Sequence, residues 1–545
     1  MEYAVRLLLD ALIGPEPYCL RSDFAGTILA ISRLDSQVYP IAGILVQALS
    51  ETRGQGTGNE GHVFAEWTRL MQHHAAAASP VLLHAFVRDL HGLGWGSAPD
   101  QLTHFVREAV NVSVQSYRQS RSFVGVDAVA TLVATLLETA EDGRDCAETL
   151  LMLITMLVVQ AHETDVFEPL VYYRLLSSIA TALPVQYVGI LGEKIQILQP
   201  LALPAFASQW MTLMAHRFVL GRLLDDREHW EVLYGLLKAL FVFLRHCWLS
   251  PISADVKNVV YRGTERICLV ILHDAPEFFV RYADELSALL ISEFVQLRNL
   301  VLCAFPEGVA LPHPVEMKET DYVEVSDEIK ESVNDARALL GERNVQKLVE
   351  NACTPRPQLT PQIVMAVQTA LAYSKPVADS GVDFSTVSVS MTSYNALCTY
   401  VAHLYTQAPA QSGRVEDSGA AQFCGRMLLT LSRENRYAFV SAIANHLRYP
   451  EKHTYFFSRF ILALFTQFGE RMFKDGTVEA RHVVTRVLLE RLMAHRAHPW
   501  GLMATFAELL KSTQYNFWDM PFIKSSSELS ELFSTLYAHI SEVPV

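Results

Sequence analysis

The sequence predicts an all-α fold in which antiparallel helix pairs stack as a degenerate solenoid. Three observations predict it. Apolar residues recur at helical spacing through nearly every apolar segment. Prolines and cap residues break the chain at regular intervals. Strict alternation, the mark of a half-buried strand, occurs once only.

The helical stripes are explicit. In Phe206–Gly221, the residues Phe206, Trp210, Leu213, Met214 and Phe218 follow i, i+4, i+7, i+8, i+12. In His482–His495, Val484, Val487, Leu488 and Leu492 form a second stripe. Such stripes face a core. Leu150–Val159 and Leu236–Leu244 are apolar nearly all round, which predicts helices sandwiched between neighbours. Pro80, Pro99, Pro184, Pro276 and Pro499 stand at or near new helical patterns, fitting proline's tolerance at the first helical position. Ser79, Asp100 and Ser253 are candidate caps. The count comes to about two dozen helices of ordinary length. No repeat consensus is visible.

Three stretches are read as irregular: a flexible loop at Arg53–Gly61, an acidic connector at Pro312–Asp327 carrying Glu316, Glu319, Asp321, Glu324 and Asp327, and a Pro/Gly/Ser-rich segment at Gln407–Gly419. The alternating Val387–Met391 has no nearby partner and is read as an extended connector. The chain is expected to divide into an N-terminal helical-repeat part, 1–190, and a C-terminal domain, 191–545, with the irregular acidic connector near 306–390.

Of 545 residues, 50% are hydrophobic and 19% charged, a globular composition with ample core. The net charge of −14 argues against nucleic acid as a direct ligand, because phosphate binding favours a basic excess. Eight cysteines stand singly, with no C-x-x-C pair, and read as reduced thiols. The N-terminal Met1-Glu2-Tyr3 lacks a basic signal-peptide start. The longest apolar run, Leu150–Val159, falls short of the ~20 residues of a bilayer span. A soluble intracellular protein is expected.

Catalytic and cofactor signatures fail one by one. Gly56, Gly58 and Gly61 fit G-x-G-x-x-G, but a helix-like stretch precedes them and Glu60 would repel a pyrophosphate. His162-Glu163 starts like a zincin motif, yet Val166 stands where the second histidine belongs. His73-His74 makes no metal-ligand set with other residues. No metal, no cofactor and no catalytic residue is assigned, and binding is favoured over catalysis.

Aromatic and polar residues crowd the C-terminal third. Asn445, Arg448, Tyr449, His453 and Tyr455 lie in one block, and His498, Trp500, Phe517 and Trp518 in a second. They read either as aromatics pinning helix ends or as anchors for an extended partner.

The same blocks carry a family resemblance. Thr485–Trp518 (TRVLLERLMAHRAHPWGLMATFAELLKSTQYNFW) and Asn445–Tyr455 (NHLRYPEKHTY) resemble the C-terminal, superfamily-homology region of the Not-one scaffold of the CCR-NOT mRNA deadenylase complex. Val295–Pro306, Thr264–Phe278 and Trp210–Leu223 are similar to it too, and Phe64–Leu70 and Phe86–Tyr117 more weakly. The likeness is poor over Lys318–Thr392. It implies stacked HEAT-like repeats and a non-enzymatic platform that docks the Not-two and Not-three (or Not-five) subunits. Other subunits would dock on parts of the far longer family protein that precede this region. It further implies support of mRNA deadenylation, mRNA decay and translational repression. The expected location is the cytoplasm, including mRNA decay foci, with the nucleus as a second compartment. Nucleic acid would take part only indirectly, and no membrane is involved. An unrelated helical-repeat adaptor, such as a transport receptor, is the alternative; it would show regular repeats of ~40 residues.

Overall fold

A computed structural model describes residues 59–72, 80–92, 99–140, 142–316, 318–354, 360–372, 385–408, 414–473 and 476–541. The described residues form 25 α-helices and several short 3-10 turns. Their one β contact is an isolated parallel bridge between Val323 and Glu451. The all-α expectation holds. Gly56, Gly58 and most of the loop at 53–61, together with His73-His74, lie outside the described residues, whereas Asn59–Gly61 open the first helix.

The chain separates into two compact units, dividing between Phe243 and Leu244. In the first unit the helices are α1 (Asn59–Gln72), α2 (Pro80–Gly92), α3 (Pro99–Ser120), α4 (Val124–Thr139), α5 (Gly143–His162), α6 (Pro169–Ala182), α7 (Val188–Ile197), α8 (Ala207–Met214) and α9 (Arg217–Asp225). Each packs on the helix two places along: α3 on α5, α5 on α7, α7 on α9, and α4 on α6, α6 on α8. Two layers result, one of odd and one of even helices, which is the geometry of a helical solenoid. Repetition here is structural, without a repeated sequence, because any apolar stripe of the right width fills the layer interface.

The stripe at 206–221 spans two helices rather than one. The backbone at His216 is extended, with ψ of 132°, and α9 begins afresh with its own buried set Val219, Leu220, Leu223 and Leu224. Trp210 stays fully buried and donates from Nε1 to the carbonyl oxygen of Ile195 at 2.7 Å. Phe218 instead is half-buried beneath Arg217 and Arg222.

The run Leu150–Val159 belongs to the 20-residue α5. That helix and residues 227–249 are long and apolar enough to cross a bilayer by length and composition, which the ten-residue run alone is not. Each buries part of its surface inside the protein. α5 packs against α3, α4 and α7, and Leu233, Leu236, Leu237, Leu240 and Phe241 are fully buried.

Helix α10 (Trp230–Leu249) runs through the division between the units. The second unit continues with α11 (Ala254–Asp274), α12 (Pro276–Leu289), α13 (Val295–Leu302), α14 (Asp327–Glu342), α15 (Gln346–Ala352), α16 (Pro361–Ala372) and α17 (Ser385–Gln407). It ends with α18 (Gly419–Thr430), α19 (Arg433–Asn445), α20 (Lys452–Ala463), α21 (Gln467–Phe473), α22 (Thr477–Leu492), α23 (Trp500–Lys511), α24 (Pro521–Lys524) and α25 (Ser527–Ser541). Ser253 caps α11 as expected, accepting from the Val256 N–H at 3.4 Å. The second stripe holds within α22, where Val484, Val487, Leu488 and Leu492 are all buried.

Two expectations about irregular chain change. The alternating Val387–Met391 is the first part of α17, because Val387 and Met391 are also four apart, which suits a helix as well as a strand. Within the connector expected near 306–390, residues 327–342, 346–352, 361–372 and 385–390 are helical, which leaves 303–326 as its longest irregular part among the described residues. Ile329, Val333, Ala336 and Leu340 form a buried stripe on α14 that its charged neighbours obscure in the composition. α17 then becomes the centre of the unit, packing against α12, α14, α19 and α20.

All seven cysteines among the described residues are free. Burial pushes the thiols of Cys303 and Cys353 up to about 12, so they stay protonated and unreactive at neutral pH.

Candidate docking site

The C-terminal blocks meet around the turn between α19 and α20. That turn, His446–Glu451, is buried throughout, which is unusual for a loop because its backbone polar groups lose water. Several of its backbone groups are paired from elsewhere in the unit. The N–H groups of Gly501 and Leu502 donate to the carbonyls of Arg448 (2.5 Å) and Leu447 (3.1 Å). The hydroxyl of Thr454 donates to the His446 carbonyl at 2.8 Å and accepts from the Arg448 N–H at 3.2 Å. Gly501 is required by this approach: a Cβ there would sit 2.6 Å from Thr454 Cγ2 and 2.8 Å from the backbone carbon of Leu447.

Glu451 begins α20. Its carboxylate accepts from the N–H groups of His453 (2.7 Å) and Thr454 (2.8 Å). Burial pushes its pKa up to about 7 against the opposing pull of those two donors and of Arg448. An acid whose pKa is higher folded than unfolded binds more protons in the folded state. Its contribution therefore favours folding as pH falls from about 7 toward the unfolded value, and the penalty is complete above about 7. The wild-type chain should lose thermal stability between pH 6 and pH 8, and that loss should shrink in Glu451→Gln. Melting curves at the two pH values check it; an unchanged difference in the variant would assign the effect to another group, such as the similarly raised Glu285.

Beneath the turn lies a buried polar network. Asn445, fully buried, donates to Asn395 Oδ1 at 2.9 Å and Ser287 Oγ at 3.2 Å. It accepts from Arg491 Nη2 at 2.6 Å, and the same nitrogen donates to the Ser441 carbonyl at 2.8 Å. Thr399 donates to Asp284 Oδ2 at 2.5 Å. Four helices, α12, α17, α19 and α22, are thereby pinned in register.

The acidic connector crosses this block as a strap. Trp500 Nε1 donates to the Pro312 carbonyl at 2.6 Å, and Lys511 Nζ to that of Val315 at 3.0 Å. The ring of Tyr322 stands edge-on to both Tyr455 (5.0 Å) and Trp500 (5.9 Å). The Tyr455 hydroxyl donates to Glu319 at 2.8 Å, the Val323 N–H to the Pro450 carbonyl at 3.0 Å, and Lys452 pairs with Glu324. An extended segment does cross these aromatics, and it comes from the chain itself.

The sequence-predicted anchors therefore divide. Asn445, Arg448, Tyr449, His453, Trp500 and Phe517 are buried. Tyr455 and His498 are half-buried, and Trp518 is 37% exposed. Arg448, expected to face a partner, points inward instead and donates to the carbonyl of Val280 in α12 at 2.9 Å. His453 is held neutral, its pKa lowered by burial, then by His446, His403 and Arg448. Sequence reading missed Glu451, Thr454, Arg491 and Gly501; their roles arise from contacts between segments far apart in the chain. No group of three or more metal-ligating side chains stands together among the described residues. What the arrangement offers is a rigid joint with aromatic edges at its surface.

Known proteins share this architecture. The solved NOT1 superfamily homology domain of Chaetomium thermophilum superposes with a TM-score of 0.74 at 24% identity, covering 88% of this chain and 96% of that one. A solved Not1 C-terminal domain in complex with Not4 gives 0.73 at 25% identity, covering 87% and 99%. The general negative regulator of transcription subunit 1 of Schizosaccharomyces pombe is 27% identical over 99% of this chain, and that of Saccharomyces cerevisiae 26% identical over 98%. The chain spans 27% of the length of each. The family described as "CCR4-Not complex component, Not1" matches residues 175–537. With two thirds of its length inside that match and a buried joint built from the same C-terminal blocks, this chain belongs to the Not1 family of CCR4-Not complex components.

Proposed function

We propose that the chain is a non-catalytic docking module of the CCR4-Not complex. It would hold the Not-two and Not-three (or Not-five) subunits and so support mRNA deadenylation, mRNA decay and translational repression, in the cytoplasm and its mRNA decay foci with the nucleus as a second location. The observation that carries this reading is the family match over residues 175–537, a stretch that is almost wholly helical where described. The relative solved with Not4 supports a protein-binding role for this end of the family protein. Other subunits of the complex would bind parts of the longer relatives that have no counterpart here. The purified chain should leave a poly(A) substrate intact.

Within this reading the buried anchors support the surface and the exposed ones form it. Trp518 packs its ring edge-on against Phe517 at 6.0 Å and keeps its outer side in solvent. Its Nε1 donates to the Leu510 carbonyl at 3.0 Å, so Trp518→Ala should cost about 1–2 kcal/mol of stability and weaken capture of a Not-two/Not-three heterodimer about tenfold or more, since tryptophan dominates binding hot spots. A binding titration beside a thermal melt measures both. If Trp518→Ala and Tyr455→Ala fold normally and bind the heterodimer as tightly as the parent, the docking surface lies elsewhere.

A further inference from the structure

The last turn of α22, the loop to α23, and α25 enclose a cleft of about 320 Å³. Four basic side chains line it: His495, Arg496, His498 and His539. Between them stand apolar groups, Met503 and Leu536 among others, and no acidic residue lines the cleft. On a chain of net charge −14 with histidine counted as neutral, the lining holds one formal positive charge, Arg496, beside three histidines. His495, Arg496 and His539 are exposed, so their hydrogen-bond donors are available to a ligand. His498 is half-buried, its Nδ1 3.4 Å from Asn299 Nδ2. Burial lowers its pKa, and Arg496 and His539 lower it further. An anion placed beside His498 would favour its protonated form.

The shape of the lining selects among anions. A nucleic-acid backbone asks for an extended basic track. This cleft is single and small, and apolar side chains interrupt its positive groups. A carboxylate side chain with apolar neighbours matches both parts of the lining. We propose that this cleft receives an acidic, apolar-flanked peptide segment of a partner protein, its carboxylates held by Arg496, His495 and His539 and its apolar side chains by Met503 and Leu536. This rests on the docking reading and names the chemistry of one partner segment.

The test is a fluorescence-anisotropy titration of the full chain with a labelled peptide, acetyl-Leu-Asp-Phe-Glu-Leu-Asp-amide. Its neutral analogue carries Asn and Gln for Asp and Glu. The acidic peptide should bind at least about tenfold more tightly than the analogue, and the double variant Arg496→Gln/His539→Gln should lose at least that factor while melting like the parent. Both substituted residues are exposed, so the fold should survive; Arg496→Lys, which keeps the charge, should retain most of the binding and serves as the control. Equal binding of the two peptides, an unaffected double variant, or no binding of the acidic peptide at millimolar concentration would each overturn the proposal. So would a short oligoadenylate that binds more tightly than the peptide and is lost in the same variant, since the cleft would then be a phosphate site. Capture of the Not-two/Not-three heterodimer is measured in parallel: peptide binding that fails beside intact capture removes this cleft alone, and failed capture by the parent removes the docking reading as well.

Discussion

Trp500→Ala should cost about 3–5 kcal/mol of stability, the range for deleting a large buried aromatic, and it should do so by two routes. The first is the cavity: the side chain is 4% exposed and sits at the start of α23, against Tyr322. The second is the strap. Trp500 Nε1 holds the Pro312 carbonyl at 2.6 Å, so the variant leaves that carbonyl without its donor and loosens residues 312–326. Trp500→Phe separates the routes, because it fills most of the volume and lacks the N–H. It should recover more than half of the loss, with the remainder, about 1–2 kcal/mol, assigned to the hydrogen bond. Denaturant titration gives the free energies, and proteolysis or hydrogen exchange over 312–326 reports the strap. A Trp500→Ala protein as stable as the parent would show that the indole is not the pin described here.

Asn445→Ala should cost about 3 kcal/mol or more, although the change is small in volume. The reason is what it strands. The Asn395 amide oxygen loses its donor, and the Arg491 guanidinium loses an acceptor at 2.6 Å. Arg491 is already hard to keep charged: burial, and then Arg298, bring its pKa down to about 9. It still carries its proton at neutral pH, so removing the Asn445 oxygen leaves a buried cation with one fewer partner, the situation in which deleting one member of a network is most costly. Arg491→Met in the Asn445→Ala background should then recover part of the loss, because it removes the stranded charge. A double-mutant cycle measures this coupling. Additive effects of the two substitutions would mean that the network does not act as a unit.

Both predictions concern residues whose types suggest a binding surface. Their partners decide otherwise. An arginine, an asparagine or a tryptophan is a hot-spot residue at an interface and a register pin in a core, and nothing within ten residues on either side distinguishes the two. Trp518 and Trp500 illustrate it. Both follow a turn and both lie in the block that resembles the family, yet one is 37% exposed and the other 4%. The difference is the connector, which arrives from nearly two hundred residues upstream and covers Trp500 alone.

The sequence by itself determined the helical class, the positions of most breaks, the Ser253 cap, the buried stripe of α22, and the family. Those rest on local periodicity, on proline geometry and on matching segments, all of which survive without knowledge of the fold. The tertiary structure alone decided which anchors are buried, that residues 327–342, 346–352 and 361–372 form helices, and that the acidic connector closes over the α19–α20 turn. These depend on contacts between distant segments, such as Gly501 with Arg448 and Trp500 with Pro312. Local sequence carries no record of such pairings, because the same backbone hydrogen bond can be supplied by any segment that the packing brings within reach.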